Sequence, residues 1–344
     1  MYSESDIDNA VTAGVISPAV AAAFRDHVAT GRDTPAVDEE HFRLLTGFND
    51  IFVSIALVLL MLAIGQIGGT IHPALAGALV AAASWALAVY FTARRRMALP
   101  SILLLLTFVG GVAGAVAALG ISIAPDVGQR GQALLSAVTG LAAAGAAYAH
   151  WRRFAVPITI AAGAAALVAV VVSLIYAAIP AARDAVYAML LVCGVAVFTL
   201  AMRWDLSDPA RQTRRADVAF WLHLAAAPMI AHPVFQMLGV FGNEMGVGTA
   251  VVVLVLYIAF AFVALAVDRR ALLVSSLAYV LYAMYALIRT TGAVELSAAF
   301  TGLVIGSALL SLSAFWQPMR RIVIGTLGDR GRKLPPVLIH PIRA

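Results

Sequence analysis

From Phe48 onward the chain is a succession of apolar runs, each close to twenty residues long and separated by short segments that carry arginine. A helix of roughly 20 apolar residues crosses a ~30 Å hydrocarbon core. In lipid every backbone N–H and C=O must be satisfied within the spanning structure itself. The pattern therefore predicts an all-α integral membrane protein. Ten runs can be drawn, at 48–69, 74–93, 98–122, 131–149, 154–178, 184–202, 217–240, 248–267, 271–288 and 296–316. Composition removes the soluble alternative: hydrophobic residues make up 62% and charged residues 12%. A soluble domain carries about 25% charged residues.

The arginines test the span count independently. Of 23 basic residues only Lys333 is lysine. With the N-terminus in the cytosol and strict alternation, Arg25, Arg32 and Arg43, Arg94 to Arg96, Arg152 and Arg153, then Arg203, Arg211, Arg214 and Arg215 all fall inside. Arg269, Arg270 and the basic residues of the tail follow them inside, and only Arg130, Arg183 and Arg289 fall outside. Cytosolic loops are enriched in Lys and Arg, so this partition predicts ten transmembrane helices with both termini cytosolic.

Outside the bundle the charge is divided by sign. Residues 1–47 hold eight acidic side chains against three arginines, and 317–344 form a basic tail with one acid, Asp329. Residues 1–47 read as a small helical hairpin, with Gly14 ending one helix, Ser17-Pro18 starting the next and Gly31 closing it. Serine at an N-cap and proline at the first helical position both suit a helix start. The two short helices bury little apolar surface and are expected to need a packing partner. The acidic segment and the basic tail share a compartment and are expected to attract; the tail also suits anionic lipid headgroups. The excess of base does not point to nucleic acid. Residues 1–47 show no apolar run after a basic start, so the first span is expected to direct insertion.

Arg95-Arg96-Met97-Ala98-Leu99-Pro100 recurs as Arg152-Arg153-Phe154-Ala155-Val156-Pro157. Three readings stay open: a duplicated two-span hairpin, the ordinary length of a hairpin that starts at a stop-transfer charge, or two five-span halves of opposite orientation, for which 48–178 and 184–316 show no matching residues. Gly110 with Gly114, and Gly302 with Gly306, are small residues four apart, a spacing that lets helices approach closely in lipid. The fourth span is nearly all Ala and Gly around Gly140. Cys193 is the single cysteine, so no internal disulfide exists.

Candidate chemistry concentrates in the seventh run, which alone carries ionisable side chains in its interior. His223 and His232 lie nine residues apart, about half a turn out of phase on an ideal helix. His232 and Gln236 share a face at i, i+4. Pro228 and Pro233 break the hydrogen-bond ladder and free carbonyls. Polar groups inside a span read as a solute or proton path; the structural alternative is a neutral histidine bonding between helices. Asp50 and Asp217 open their spans at the cytosolic end, where a carboxylate meets the positive end of the helix dipole. Asp268-Arg269-Arg270 is expected to be a solvated turn. No metal-ligand spacing, phosphate loop or nucleophilic triad is present, so neither a cofactor nor an enzymatic reaction is predicted.

The N-terminal AVTAGVISPAVAAAFRDHV, together with DVAFWLHLAAAP (217–228), DRRALLVSSLAYVLYA (268–283) and SAFWQPMRR (313–321), resembles bacterial membrane proteins carrying domain of unknown function 2157. The resemblance implies a multi-pass protein of the bacterial inner membrane and carries over no catalytic residue. Two functional expectations follow: a small-solute permease or transport component with the seventh span as its polar element, or a non-transporting scaffold or sensor acting through its cytosolic termini.

Overall fold

The computed structural model describes residues 4–31, 48–209, 211, 213–239, 247–271, 273–277, 280–281, 302–303, 306–307, 310–311, 314–328, 331 and 334–335. Residues 32–47, where a Gly/Thr/Pro linker from Thr30 to Pro35 and an amphipathic lead-in from Asp38 to Gly47 are expected, lie outside them, as do most of the predicted spans 271–288 and 296–316 and the end of the tail. Every described element is helical, and the chain divides into two compact units, Met1–Arg43 and Leu44–Ala344.

The first unit is a pair of helices, α1 (Glu4–Thr12) and α2 (Pro18–Gly31). Gly14 turns the chain with φ +71°. Ser17 Oγ accepts a hydrogen bond from the Val20 N–H at 3.2 Å and so caps α2. Ala21 is buried between the helices, and Arg25 pairs with Asp8 at 2.8 Å. That exposed ion pair contributes little.

Among the described residues, the second unit contains seven helices that are long and apolar enough to cross a membrane. They are α3 (Phe48–Ile71), α4 (Pro73–Ala88, prolonged by a π-helical turn at Val89–Arg94), α5 (Ala98–Ile123), α6 (Gln129–Phe154), α7 (Ile158–Ala178), α8 (Val186–Leu206) and α9 (Arg214–Met237). The apolar helix α10 (Val247–Val267) follows, and α11 (Trp316–Leu327) lies in the region predicted as tail. The protein is therefore a multi-pass helical membrane protein. The predicted runs fall on these helices with ends displaced by a few residues. The fourth run is too short, because α6 continues through His150 and the basic Arg152-Arg153 to Phe154. Arginines at a helix C-terminus favour continuation into the last turn.

The helices pack as consecutive hairpins: α4 with α5, α6 with α7, α8 with α9. Their turns share an unusual backbone. Arg96, Ala155, Arg211 and Asp268 follow α4, α6, α8 and α10, and all have φ between 50° and 58°. The left-handed region costs a non-glycine residue on the order of 1–2 kcal/mol, so the tight reversal is held by packing elsewhere. The recurring arginine motif does not place this residue in one register. Arg96 is the second residue of the first copy, while Ala155 is the fourth residue of the second copy. The recurrent element is the turn geometry, and the π-helical turn of α4 absorbs the offset.

Glycines set the distance between the helices of each hairpin, Gly77 with Gly111 in the first, Gly140 in the second and Gly194 in the third. A Cβ on Gly77 would lie 2.5 Å from the Gly111 carbonyl oxygen, and one on Gly194 would lie 2.9 Å from the Met229 carbonyl carbon. On Gly140 it would lie 2.8 Å from a Val170 methyl. Gly110 and Gly114, spaced as a packing pair in the sequence, face open space, and Gly302 and Gly306 meet nothing within 4 Å among the described residues. The correction has a simple cause: spacing finds a face of a helix but not which face meets the neighbour, and one residue's rotation substitutes Gly111 for Gly110. Gly77→Ala is expected to destabilise the detergent-solubilised protein by about 1–3 kcal/mol through overpacking. Gly110→Ala, with nothing to clash and a better helix former in place, is expected to be neutral or stabilising. Thermal unfolding of the two variants side by side checks this.

Candidate functional site

The most polar part of the bundle is a buried ion network where α8, α9, α10 and α11 meet. It begins with Asp205 in the last turn of α8, a position where a carboxylate adds to the negative end of the dipole. Asp205 is fully buried. Arg269 answers it with a fork of two hydrogen bonds, Nη2 to Oδ1 at 2.5 Å and Nε to Oδ2 at 3.2 Å. Two-point guanidinium pairing adds direction as well as strength. His223 on α9 meets the same carboxylate, Nε2 to Oδ2 at 2.9 Å. Arg269 Nη2 also donates to the Ala216 carbonyl at 3.2 Å, joining the start of α9 to the end of α10.

Asp268, just beyond α10, is the second buried carboxylate. Its Oδ1 accepts from the Trp316 indole N–H at 2.7 Å, and its Oδ2 accepts from Arg211 Nη1 at 3.1 Å. Arg211 Nη2 donates to the Val267 carbonyl at 3.1 Å. An arginine from the α8–α9 loop thus caps carbonyls that the end of α10 leaves without helical partners. Burial is the first cause that lowers the Arg211 pKa from its ordinary value, followed by the nearby Arg269 charge; Asp205 and Asp268 oppose both. Arg320 of α11 lies 3.7 Å from Asp268 Oδ1 and donates to the Pro335 carbonyl at 3.2 Å. Arg270 is exposed and stacks over the Trp316 ring at 4.8 Å.

Local sequence explains how the loop reaches these partners. Asp208 Oδ2 accepts from both the Thr213 N–H (2.9 Å) and its hydroxyl (2.7 Å), closing the loop. Thr213 Oγ1 then caps α9 by accepting from the Arg215 N–H at 3.2 Å. Arg211, between them, is forced into its left-handed conformation and turned inward.

The expectation of a solvated turn at Asp268-Arg269-Arg270 is corrected: Asp268 and Arg269 are 2% and 4% exposed, and only Arg270 reaches the surface. The turn was read alone, without the carboxylate of α8 and the indole of α11 that make its burial affordable. With Asp208, buried in the same loop, three arginines face three aspartates before His223 is counted.

The sequence-derived candidates are spread along α9 and beyond it. His223 is buried in the network, edge-on to Phe198 with ring centroids 4.9 Å apart. His232 and Gln236 are half-buried one turn apart, and the His232 ring packs edge-on against Tyr187 at 5.8 Å. Pro228 is exposed and Pro233 buried, and the helix runs unbroken through both. Proline at 233 removes the N–H that would bond the Met229 carbonyl; that carbonyl is the group Gly194 approaches. Asp50 is buried in the first turn of α3, and Asp217 is half-buried in the first turn of α9.

His150, at the end of α6, was missed because the fourth run was drawn to stop at 149. It is fully buried among Trp85, Phe108 and Phe154, with Nδ1 3.4 Å from the Thr159 hydroxyl. It joins α4 to α7 at the end of the bundle that carries Arg152 and Arg153.

With the geometry in place, the class is a multi-pass helical membrane protein with a buried charge cluster at the arginine-bearing end of its helices. Comparison with protein-family models, curated proteins and solved structures returns no match.

Breaking a buried ion pair from one side strands the other charge, at a cost of about 3–5 kcal/mol. Asp205→Asn is therefore expected to lower the unfolding temperature in detergent, since it leaves Arg269 without its counter-charge. Pairing Asp205→Leu with Arg269→Met is expected to recover most of that loss, because apolar replacement of both partners is often neutral.

Proposed function

We propose that the chain is a small-solute permease, or a component of one, in the bacterial inner membrane, with ten spans and both termini cytosolic. The arginine distribution supports the orientation. The network supports the count. Asp205, Asp268 and Trp316 meet at one end of the bundle, so crossings between them must come in pairs. Helices α9 and α10 make the first pair, and the predicted spans 271–288 and 296–316 meet the same condition.

The observation that carries the transport reading is the character of α9. It is the most enclosed of the seven spans. His223 locks its arginine-bearing end, while His232 and Gln236 remain half-buried deeper along it. Beside them lies the Met229 carbonyl released by Pro233. Neutral donors and acceptors without a deep carboxylate or cation suit an uncharged polar solute. Around them Ala226, Ala227, Ala231 and Phe235 are fully buried, so the path is shut in this conformation. The ion network is the latch on its cytosolic side, and opening requires its pairs to part together.

A scaffold or sensor role is the second reading. It is favoured by Trp316 and Arg320, which bind Asp268 from a helix of the predicted tail. A partner that moves the tail would move the latch.

Water access decides between them. In a Cys193→Ala background, His232→Cys and Gln236→Cys are expected to react with a membrane-impermeant maleimide from one side only, whereas His223→Cys is not. Reaction at 232 and 236 would justify flux measurements with neutral solutes in proteoliposomes. Inertness of both from either side, in folded protein, would remove the transport reading and leave the sensor.

A further inference from the structure

We propose that α11 is an interfacial helix whose outer face seats the arginine-rich end of the bundle on anionic phospholipid headgroups. The inference does not depend on whether the bundle conducts a solute.

On a helical wheel of about 100° per residue, α11 divides into three arcs. Trp316, Arg320 and Val323 share one arc and are buried against the bundle. Leu327, on the same arc, packs beneath them. Turned by about 100° is a second apolar arc made of Phe315, Met319 and Ile322, which are 59%, 38% and 69% exposed. The remaining arc holds Gln317, Pro318 and the exposed Arg321. A helix with one apolar face on protein, an adjoining apolar face uncovered and a polar face opposite fits the boundary between acyl chains and headgroups.

The position of α11 is fixed independently of its own amphipathicity. The Trp316 indole donates to Asp268, and Arg320 lies beside the same carboxylate. That carboxylate sits immediately after α10, at the level where the apolar spans α8 and α10 end. The uncovered arc is therefore held at the edge of the hydrocarbon.

Charge selects the lipid. Arg203, Arg214, Arg215, Arg270 and Arg321 are exposed on the segments that meet there. The buried charges balance, Arg211, Arg269 and Arg320 against Asp205, Asp208 and Asp268, and the five exposed arginines outnumber the half-buried Asp217. Basic side chains near a leaflet favour anionic headgroups over zwitterionic ones. The packing of the Arg270 guanidinium on the Trp316 ring makes a headgroup bound there a neighbour of the Asp268 contacts.

The test uses the full chain in the Cys193→Ala background. Nitroxides are placed at Ile322→Cys on the uncovered arc and at Gln317→Cys on the polar arc. The protein is reconstituted in nanodiscs of phosphatidylcholine alone or mixed with phosphatidylglycerol. The label at 322 is expected to relax mainly with dissolved oxygen and the label at 317 mainly with an aqueous nickel chelate. The contrast is expected to sharpen when phosphatidylglycerol is present. Arg321→Gln is expected to reduce retention of phosphatidylglycerol over phosphatidylcholine about fivefold, the share of one basic side chain at the surface. Nickel-dominated relaxation at 322 in both lipids would overturn the proposal, as would unchanged lipid selectivity in Arg321→Gln. Strong spin–spin coupling between labels at 322 would also overturn it, by making a second copy of the chain the occupant of this face.

Discussion

Two carboxylates buried at the same end of the helices, Asp205 and Asp268, hold together the later half of the bundle. Neither is tolerable alone, since an unpaired charge in a low-dielectric site costs several kcal/mol. Each is matched by arginine drawn from a different connection: Arg269 after α10, Arg211 before α9 and Arg320 on α11. The desolvation cost takes back much of the attraction, so the network adds little net stability compared with an apolar core. What it supplies is direction. Forked hydrogen bonds fix which loop lies against which helix end, and small apolar side chains cannot.

The arrangement matters because the bundle has weak means of specifying its own packing. In lipid, apolar burial does not separate one helix pairing from another, and association rests on close approach and on polar contacts. Gly77 with Gly111, then Gly140 and Gly194, provide the close approach in the three hairpins. The polar contacts are placed differently along the chain. Ser84 and Thr107 bond within the first hairpin at 2.7 Å, and His150 with Thr159 within the second. In the third hairpin the contact is ionic and reaches outside it to α10 and α11. The later hairpins are thus coupled through charge, while the earlier ones are held by neutral groups.

That coupling divides α9 into two parts. His223 belongs to its ion-paired end, and His232 with Gln236 to its half-buried middle. Two histidines that look alike in the sequence therefore sit in different surroundings. One is held by a carboxylate at the end of the bundle. The other packs on a tyrosine ring, one turn from the proline that interrupts the hydrogen-bond ladder.

The helical architecture was legible in the sequence because it depends on local properties. A run of twenty apolar residues is a helix wherever it meets lipid, and arginine follows every second one, at the ends of α4, α6, α8 and α10. The N-cap at Ser17 and the positions of α3 to α10 followed from such rules within a few residues, and the concentration of polar groups on α9 was visible as composition. The network was not. In the sequence Asp205 is one acid near Arg203 in a loop-like stretch, and Asp268-Arg269-Arg270 reads as a solvated turn. Their partners stand 64 residues apart for Asp205 with Arg269 and 48 for Trp316 with Asp268. A charge is buried or solvated according to what lies within a few ångströms of it, and only the folded chain sets that distance. The same reason turned Gly111 rather than Gly110 toward its neighbour: spacing along a helix is a property of the sequence, but its rotation against the next helix belongs to the tertiary structure.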